Sequence, residues 1–401
     1  MTADPEPSAF PFPNADPLSV PRALGRARTA GAPIRVRPPY GRPAWLVTDH
    51  EDARTVLASP DFGRDAARAG IPDDDVPRIT PVDPISGSIL AMDPPDHTRV
   101  RRLIGRVFTP RRVEGLRPRA QGIADRLADD LIADGPPADL LDRFALPIPL
   151  EVICELLGVP HQDRARFAAW SDAFLSTSGL TVEDALHSLS LLNGYLSGLI
   201  AQRTAHPTDD LIGALTQVHD EGGPVTAEEV LGLVRGLLVG GYETSSLQIA
   251  NFVLLLLRGD GYTRLAADAS LIPNAVEELL RYVPLSPLGS LPRYALTDVE
   301  VGGVLIRAGE SVLVELSAAN RDPGVFDDPE VLDLERPAAG HLGFGHGIHH
   351  CVGAALARME LQVAVGTLTR RFPHLALTVA EEAIEWRENF IRGPQRLPVT
   401  W

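Results

Sequence analysis

Phe344-Gly345-His346-Gly347-Ile348-His349-His350-Cys351-Val352-Gly353 sets one cysteine at the end of a glycine-rich run, and a helical pattern follows from Ala354 to about Arg371. Free backbone amides and the helix dipole at a helix start stabilise an anion, which lowers a thiol pKa. Glycines at 345, 347 and 353 let the backbone close around one sulfur and aim its N–H groups. A soft thiolate with no second cysteine nearby suits a single axial bond to iron. Three other readings compete. A lone cysteine is usually a buried core residue. A phosphate-binding loop needs a Gly-Lys-Ser/Thr that does not follow here. His346, His349, His350 and Cys351 offer zinc ligands, but three of the four are adjacent, unlike the spacing of a structural zinc site.

Outward from this loop, the chain reads as mostly helical. Between Leu116 and Leu257 apolar residues recur at helical spacing, as in Ile123, Leu127 and Leu131. One helix is predicted over about Ala227 to Leu257, opened by a Thr226/Glu229 capping box. Gly259 and Gly261 beyond its end suggest a left-handed cap. Its middle carries Gly240 and Gly241, each costing about 1 kcal/mol relative to alanine, so something other than helix propensity places them there. A second helix is predicted from Pro273 to Val283, between prolines. Val299–Val301 and Val304–Ile306 flank Gly302-Gly303 as a two-residue hairpin. Ala44 to Thr48 and Leu397 to Thr400 read as extended, and 317–342 as an irregular stretch.

Composition narrows the function classes. The 401 residues are 44% hydrophobic, enough for a large core, and carry a formal net charge of -16. An acidic surface argues against nucleic acid as a partner. All 37 basic residues are arginine, which reads as genomic coding bias. Two cysteines are too few for a disulfide framework, and Cys154, in an apolar run, reads as core. No secretory signal is visible, and the most apolar run, Ile249 to Leu257, is too short to span a bilayer. The expectation is a cytoplasmic protein with no membrane partner, its first twenty or so proline-rich residues the part most prone to disorder.

The cysteine segment resembles the ligand loop of the cytochrome P450 family, Phe-Gly-x-Gly-x-His/Arg-x-Cys-x-Gly, at every fixed position. Three further segments resemble family signatures in the family's order. Glu278-Leu279-Leu280-Arg281 is similar to its buried Glu-x-x-Arg pair, which an arginine before the cysteine loop joins; Arg336 fits. Gly240-Gly241-Tyr242-Glu243-Thr244 is similar to its Ala/Gly-Gly-x-Asp/Glu-Thr segment, with Gly240 in place of a frequent alanine and Tyr242 in place of a frequent histidine. Asp93-Pro94-Pro95-Asp96-His97-Thr98-Arg99-Val100-Arg101 resembles the start of the helix that meets the haem propionates. Taken alone, the charged pairs would read as surface groups.

The resemblance implies one mainly α-helical domain over 1–401 with a small β region, and haem b between the long helix and the cysteine loop. Cys351 would ligate the iron, and His97, Arg101, Arg293 and His349 would reach the propionates. Gly240, Gly241, Phe344, Gly345 and Gly353 would line the cofactor, and Glu243 with Thr244 would relay protons. The implied reaction inserts one atom of O2 into a mainly hydrophobic substrate, by hydroxylation or epoxidation. Electrons would come from NAD(P)H through a ferredoxin reductase and a ferredoxin, since the chain shows no flavin-binding domain. A peroxide-driven enzyme of the same fold and a haem-thiolate gas or redox sensor are the rival functions. The acid–alcohol pair favours O2 activation over both. Substrate contacts are implied in Arg64 to Leu90, around Ala168 to Ser197, along the long helix, and at Leu285 to Leu291 and Phe390 to Ile391. Among the family's members the chain looks most like actinobacterial enzymes that tailor polyketides and macrolides.

Overall fold

A computed structural model describes residues 6–78, 88–175, 182–220, 223–286, 289–337, 339–387 and 391–401. It groups the chain into two compact units, one of Met1–Asp93, Pro273–Val352 and Phe390–Arg392, the other of Pro94–Ile272, Gly353–Asn389 and Gly393–Trp401. Helices dominate and the sheets are small.

In the first unit a six-stranded sheet runs in the order Ser8–Ala9, Ile34–Arg37, Ala44–Val47, Ser311–Val314, Arg293–Ala295, Phe62–Gly63. Ser311–Val314 lies parallel to Ala44–Val47, Val312 opposite Trp45, and antiparallel to Arg293–Ala295. All four of its residues are buried, as in a strand covered on both faces. Val47, Val56, Leu57, Phe62, Ile306 and Val312 share one apolar cluster. The hairpin pairs Val304 with Val301, and its Gly302 and Gly303 have φ of 53° and 74°, as such a tight turn requires. Phe10 and Leu18 are buried. Phe10 shares an apolar cluster with Leu24, Val36 and Leu46; residues 1–5 lie outside the described residues.

The proline-bounded helix, Ile272–Tyr282, carries Glu278 and Arg281 fully buried. Arg281 donates from Nε and Nη2 to the two Glu278 oxygens, at 2.7 Å each. Arg336 Nε adds a bond to Glu278 Oε1 at 3.2 Å, and further Arg281 and Arg336 donors reach carbonyls between Asn320 and Val331. The triad thus supplies hydrogen-bond donors to an irregular stretch that has no ladder of its own.

The second unit is helical. Arg117–Asp134, Pro147–Leu157, Ala227–Leu257 and Ala354–Arg371 pack together. The long helix begins at Thr226 with its capping box formed in both directions. Its end differs from expectation: Arg258 caps it in right-handed conformation, and Gly261 opens another helix, Gly261–Ala267. The dipeptide Asp260-Gly261 serves as a helix start and not as a left-handed stop. Leu397's carbonyl accepts from Leu140, beside a three-stranded sheet of Ala376–Leu377, Pro398–Thr400 and Ala138–Asp139. No helix among the described residues is long and apolar enough to cross a membrane.

Candidate active site

Cys351 lies between a single turn of 3-10 helix, Gly347–His349, and the helix that begins at Ala354. The loop closes on itself where the Cys351 amide donates to the Phe344 carbonyl at 2.9 Å and Gly345 N to the Leu342 carbonyl at 2.8 Å. Gly345 and Gly347 both sit at φ 72°, in the left-handed region. At Gly347 an added Cβ would also lie 2.4 Å from the Leu57 carbonyl oxygen, so no larger residue fits there. Cys351 is exposed and in no disulfide, whereas Cys154 is buried. Burial pushes the Cys154 thiol up to about 12, as expected of a core cysteine.

Arg293 begins a sheet strand and is 3% exposed. Its Nη1 is buried with no hydrogen-bond partner among the described residues. Burial holds its pKa well below the ordinary arginine range, and neighbouring Arg64 lowers it further. Asp93 opposes this, but its two carboxylate oxygens already accept from the backbone amides of Arg64 and Asp65, at 2.8 and 3.1 Å. A buried guanidinium with a donor to spare fits an external carboxylate. His349, in the same unit, is partly buried.

In the helical unit, His97 and Arg101 lie one turn apart on the helix Asp96–Val107, with His97 buried and Arg101 partly so. In the long helix a Cβ on Gly240 would meet no atom within 4 Å, and one on Gly241 only Ile153 Cδ1 at 3.9 Å. Packing among the described residues therefore does not account for either glycine. Thr244 Oγ1 donates to the Gly240 carbonyl at 2.6 Å. Glu243 Oε1 accepts from Arg387 Nη1 at 3.2 Å, with both side chains largely buried. Gly353 caps the Ala354–Arg371 helix.

Two further residues, Arg387 and Glu360, escape the reading of the sequence. Arg387 lies 144 positions from Glu243 in an irregular segment, where no periodicity points to it. Glu360, on the Ala354–Arg371 helix, is 2% exposed, and burial pushes its carboxyl up to about 8 against a hydrogen bond from Ser245. Its helical neighbours Leu361 and Met359 are also buried, so a glutamate flanked by apolar residues was the available signal. Of the implied substrate stretches, residues 79–87, 176–181, 287–288 and 390 lie outside the described residues.

A mainly helical fold with small sheets, and a glycine-bent cysteine loop ahead of a helix, are the marks of the haem-thiolate class of proteins. The sequence pattern of that class, cytochrome P450, matches residues 266–401. The chain is 47% identical over 398 residues, 99% of each protein, to mycinamicin IV hydroxylase/epoxidase of Micromonospora griseorubida. It is 46% identical over 394 residues, 97% of this chain and 98% of that protein, to nocardicin C N-oxygenase of Nocardia uniformis subsp. tsuyamanensis. The solved structure of the mixed-function P450 MycG superposes with a TM-score of 0.94 at 47% identity, covering 99% of this chain and all of that one. This chain belongs to the cytochrome P450 family and is a monooxygenase. The family implies haem, and an exposed cysteine and a buried arginine with a spare donor fit that group.

Proposed function

We propose that this monooxygenase hydroxylates or epoxidises a mainly hydrophobic, macrolide-type natural product, the whole chain acting as one haem-binding domain. Cys351 would ligate the iron. Arg293, His349, His97 and Arg101 would neutralise the propionates, and Phe344, Gly345, Gly353, Gly240 and Gly241 would line the cofactor. When bound, haem supplies the oxidising chemistry, in which one atom of O2 enters the substrate and the other leaves as water. Everything else falls to the chain. Thr244 keeps its hydroxyl on the Gly240 carbonyl, from which it can turn to order a water. Glu243 keeps a carboxylate within reach of Arg387, and releasing that contact frees it to pass protons inward. Electrons arrive singly from NAD(P)H through a ferredoxin reductase and a ferredoxin.

Likeness to the mycinamicin enzyme over the full length of both chains supports the macrolide class. The apolar or small residues described at 285–286, 289–291 and 391 support a hydrophobic ligand. The observation that carries the cofactor reading is the exposed Cys351 in its glycine-bent loop. Cys351→Ala is expected to abolish the strongly red-shifted absorption band of the reduced, carbon-monoxide-treated protein, while Cys154→Ala keeps it; an unchanged band in Cys351→Ala refutes the ligand assignment. Binding spectra with mycinamicin IV and nocardicin C side by side test the substrate class, and a response to the second alone overturns it.

A further inference from the structure

His341 sits ten residues before the cysteine and is tied at both ring nitrogens. Its Nδ1 accepts from the Gly343 amide at 3.0 Å, and its Nε2 faces Glu277 Oε2 at 3.0 Å. The ring is 3% exposed and the glutamate 27%. An amide N–H can only donate, so Nδ1 carries no proton in this arrangement. The one proton of the neutral ring is then on Nε2, donated to Glu277. Around it the backbone is equally fixed. Leu342 N donates to Asn320 Oδ1 at 2.7 Å, and a Cβ on Gly343 would lie 2.7 Å from the Leu280 carbonyl oxygen. The Phe344 ring lies beside the His341 ring, tilted by 45° with centroids 6.1 Å apart, and the Phe344 carbonyl accepts the Cys351 amide. A path of direct contacts thus runs from Glu277, on the Ile272–Tyr282 helix, through His341 and Phe344 to the backbone of Cys351.

We infer that His341, oriented by Glu277, is a positioning residue for the cysteine loop, holding 342–344 in the conformation that presents the Cys351 sulfur. The inference rests on Cys351 being the iron ligand. A side chain accepting the amide two residues on is the geometry of an Asx-turn, which asparagine forms by itself. That supplies a substitution that restores the bond without the ring.

The experiment uses the haem-loaded protein, reduced and treated with carbon monoxide, and reads the ratio of the red-shifted thiolate band to the unshifted band. His341→Ala is expected to lower that ratio roughly fivefold, the population change one lost hydrogen bond is worth. His341→Asn is expected to restore most of it. A second readout, amide hydrogen exchange at Gly343, should speed up in the alanine variant and slow again in the asparagine variant. Wild-type ratio and exchange in His341→Ala overturn the inference, as does a His341→Asn variant as impaired as alanine, which would mean that the ring only fills space. If His341→Ala does not accumulate, Glu277→Ala removes the partly exposed end of the link, and the same changes in smaller degree support the inference while none overturn it. Loss of the red-shifted band through Cys351→Ala is the separate test of the ligand reading, so the two can fail independently.

Discussion

Thr244 and Glu243 are neighbours in sequence but are held by different partners, one by its own helix and the other by an arginine 144 residues away. That difference sets what each substitution should do. Thr244→Ala removes a hydroxyl whose bond to the Gly240 carbonyl duplicates a helix contact, so folding and haem binding should persist. Electrons should instead leak into hydrogen peroxide, and the ratio of product to NADPH consumed should fall; a wild-type ratio would place the relay elsewhere. Glu243→Gln keeps the shape and loses the acid, and turnover should drop by about a hundredfold, the usual worth of a general acid–base group, with less leakage. If Arg387 acts through Glu243, Arg387→Ala added to Glu243→Gln should cost little more. A double-mutant cycle that is additive would show the ion pair to be irrelevant to turnover.

At the scale of the element, the Ile272–Tyr282 helix matters for the two charges on its buried face. Glu278 and Arg281 are fully buried and satisfied by each other, by Arg336 and by backbone carbonyls. Removing one charge leaves the other desolvated, which typically costs 3–5 kcal/mol. Glu278→Ala should therefore give little haem-loaded protein and a much lower melting temperature. Normal haem content and thermal stability in that variant would reduce the triad to an incidental contact. The sequence showed the spacing of this pair, and only its setting showed the burial: Glu-x-x-Arg on an exposed face is an ordinary surface pair worth a few tenths of a kcal/mol.

For the whole molecule, two buried carboxyls set a pH dependence. Burial raises Glu315 to about 7, with Ser317 as its hydrogen-bond partner, and Glu360 to about 8. Both values lie above the ordinary 4.5 of an exposed glutamate. The folded protein thus binds more protons than the unfolded chain across this window. Their contribution is full below pH 4.5 and is lost as pH rises through 7 to 8. Glu360→Gln should flatten the upper part of that decline, as measured by denaturant unfolding at several pH values. A slope unchanged from wild type would mean that Glu360 is already ionised in the folded state.

The sequence by itself determined what depends on local order. The capping box at Thr226 and Glu229, the two-glycine hairpin at 302–303 and the helix after Cys351 all formed as read, because each rests on contacts within a few residues. The cysteine loop was legible for the same reason: its glycines supply backbone angles that the loop needs on its own account. Tertiary structure alone decided what depends on distant partners. Arg387 against Glu243, Asp93 closing on the amides of Arg64 and Asp65, and Gly343 pressed on the Leu280 carbonyl join residues 144, 28 to 29 and 63 positions apart. It also decided that Phe10 and Leu18 are buried, since burial is a property of the surface that receives a side chain. No periodicity encodes such pairs, because their spacing along the chain is set by how the elements pack and not by the repeat of any one element.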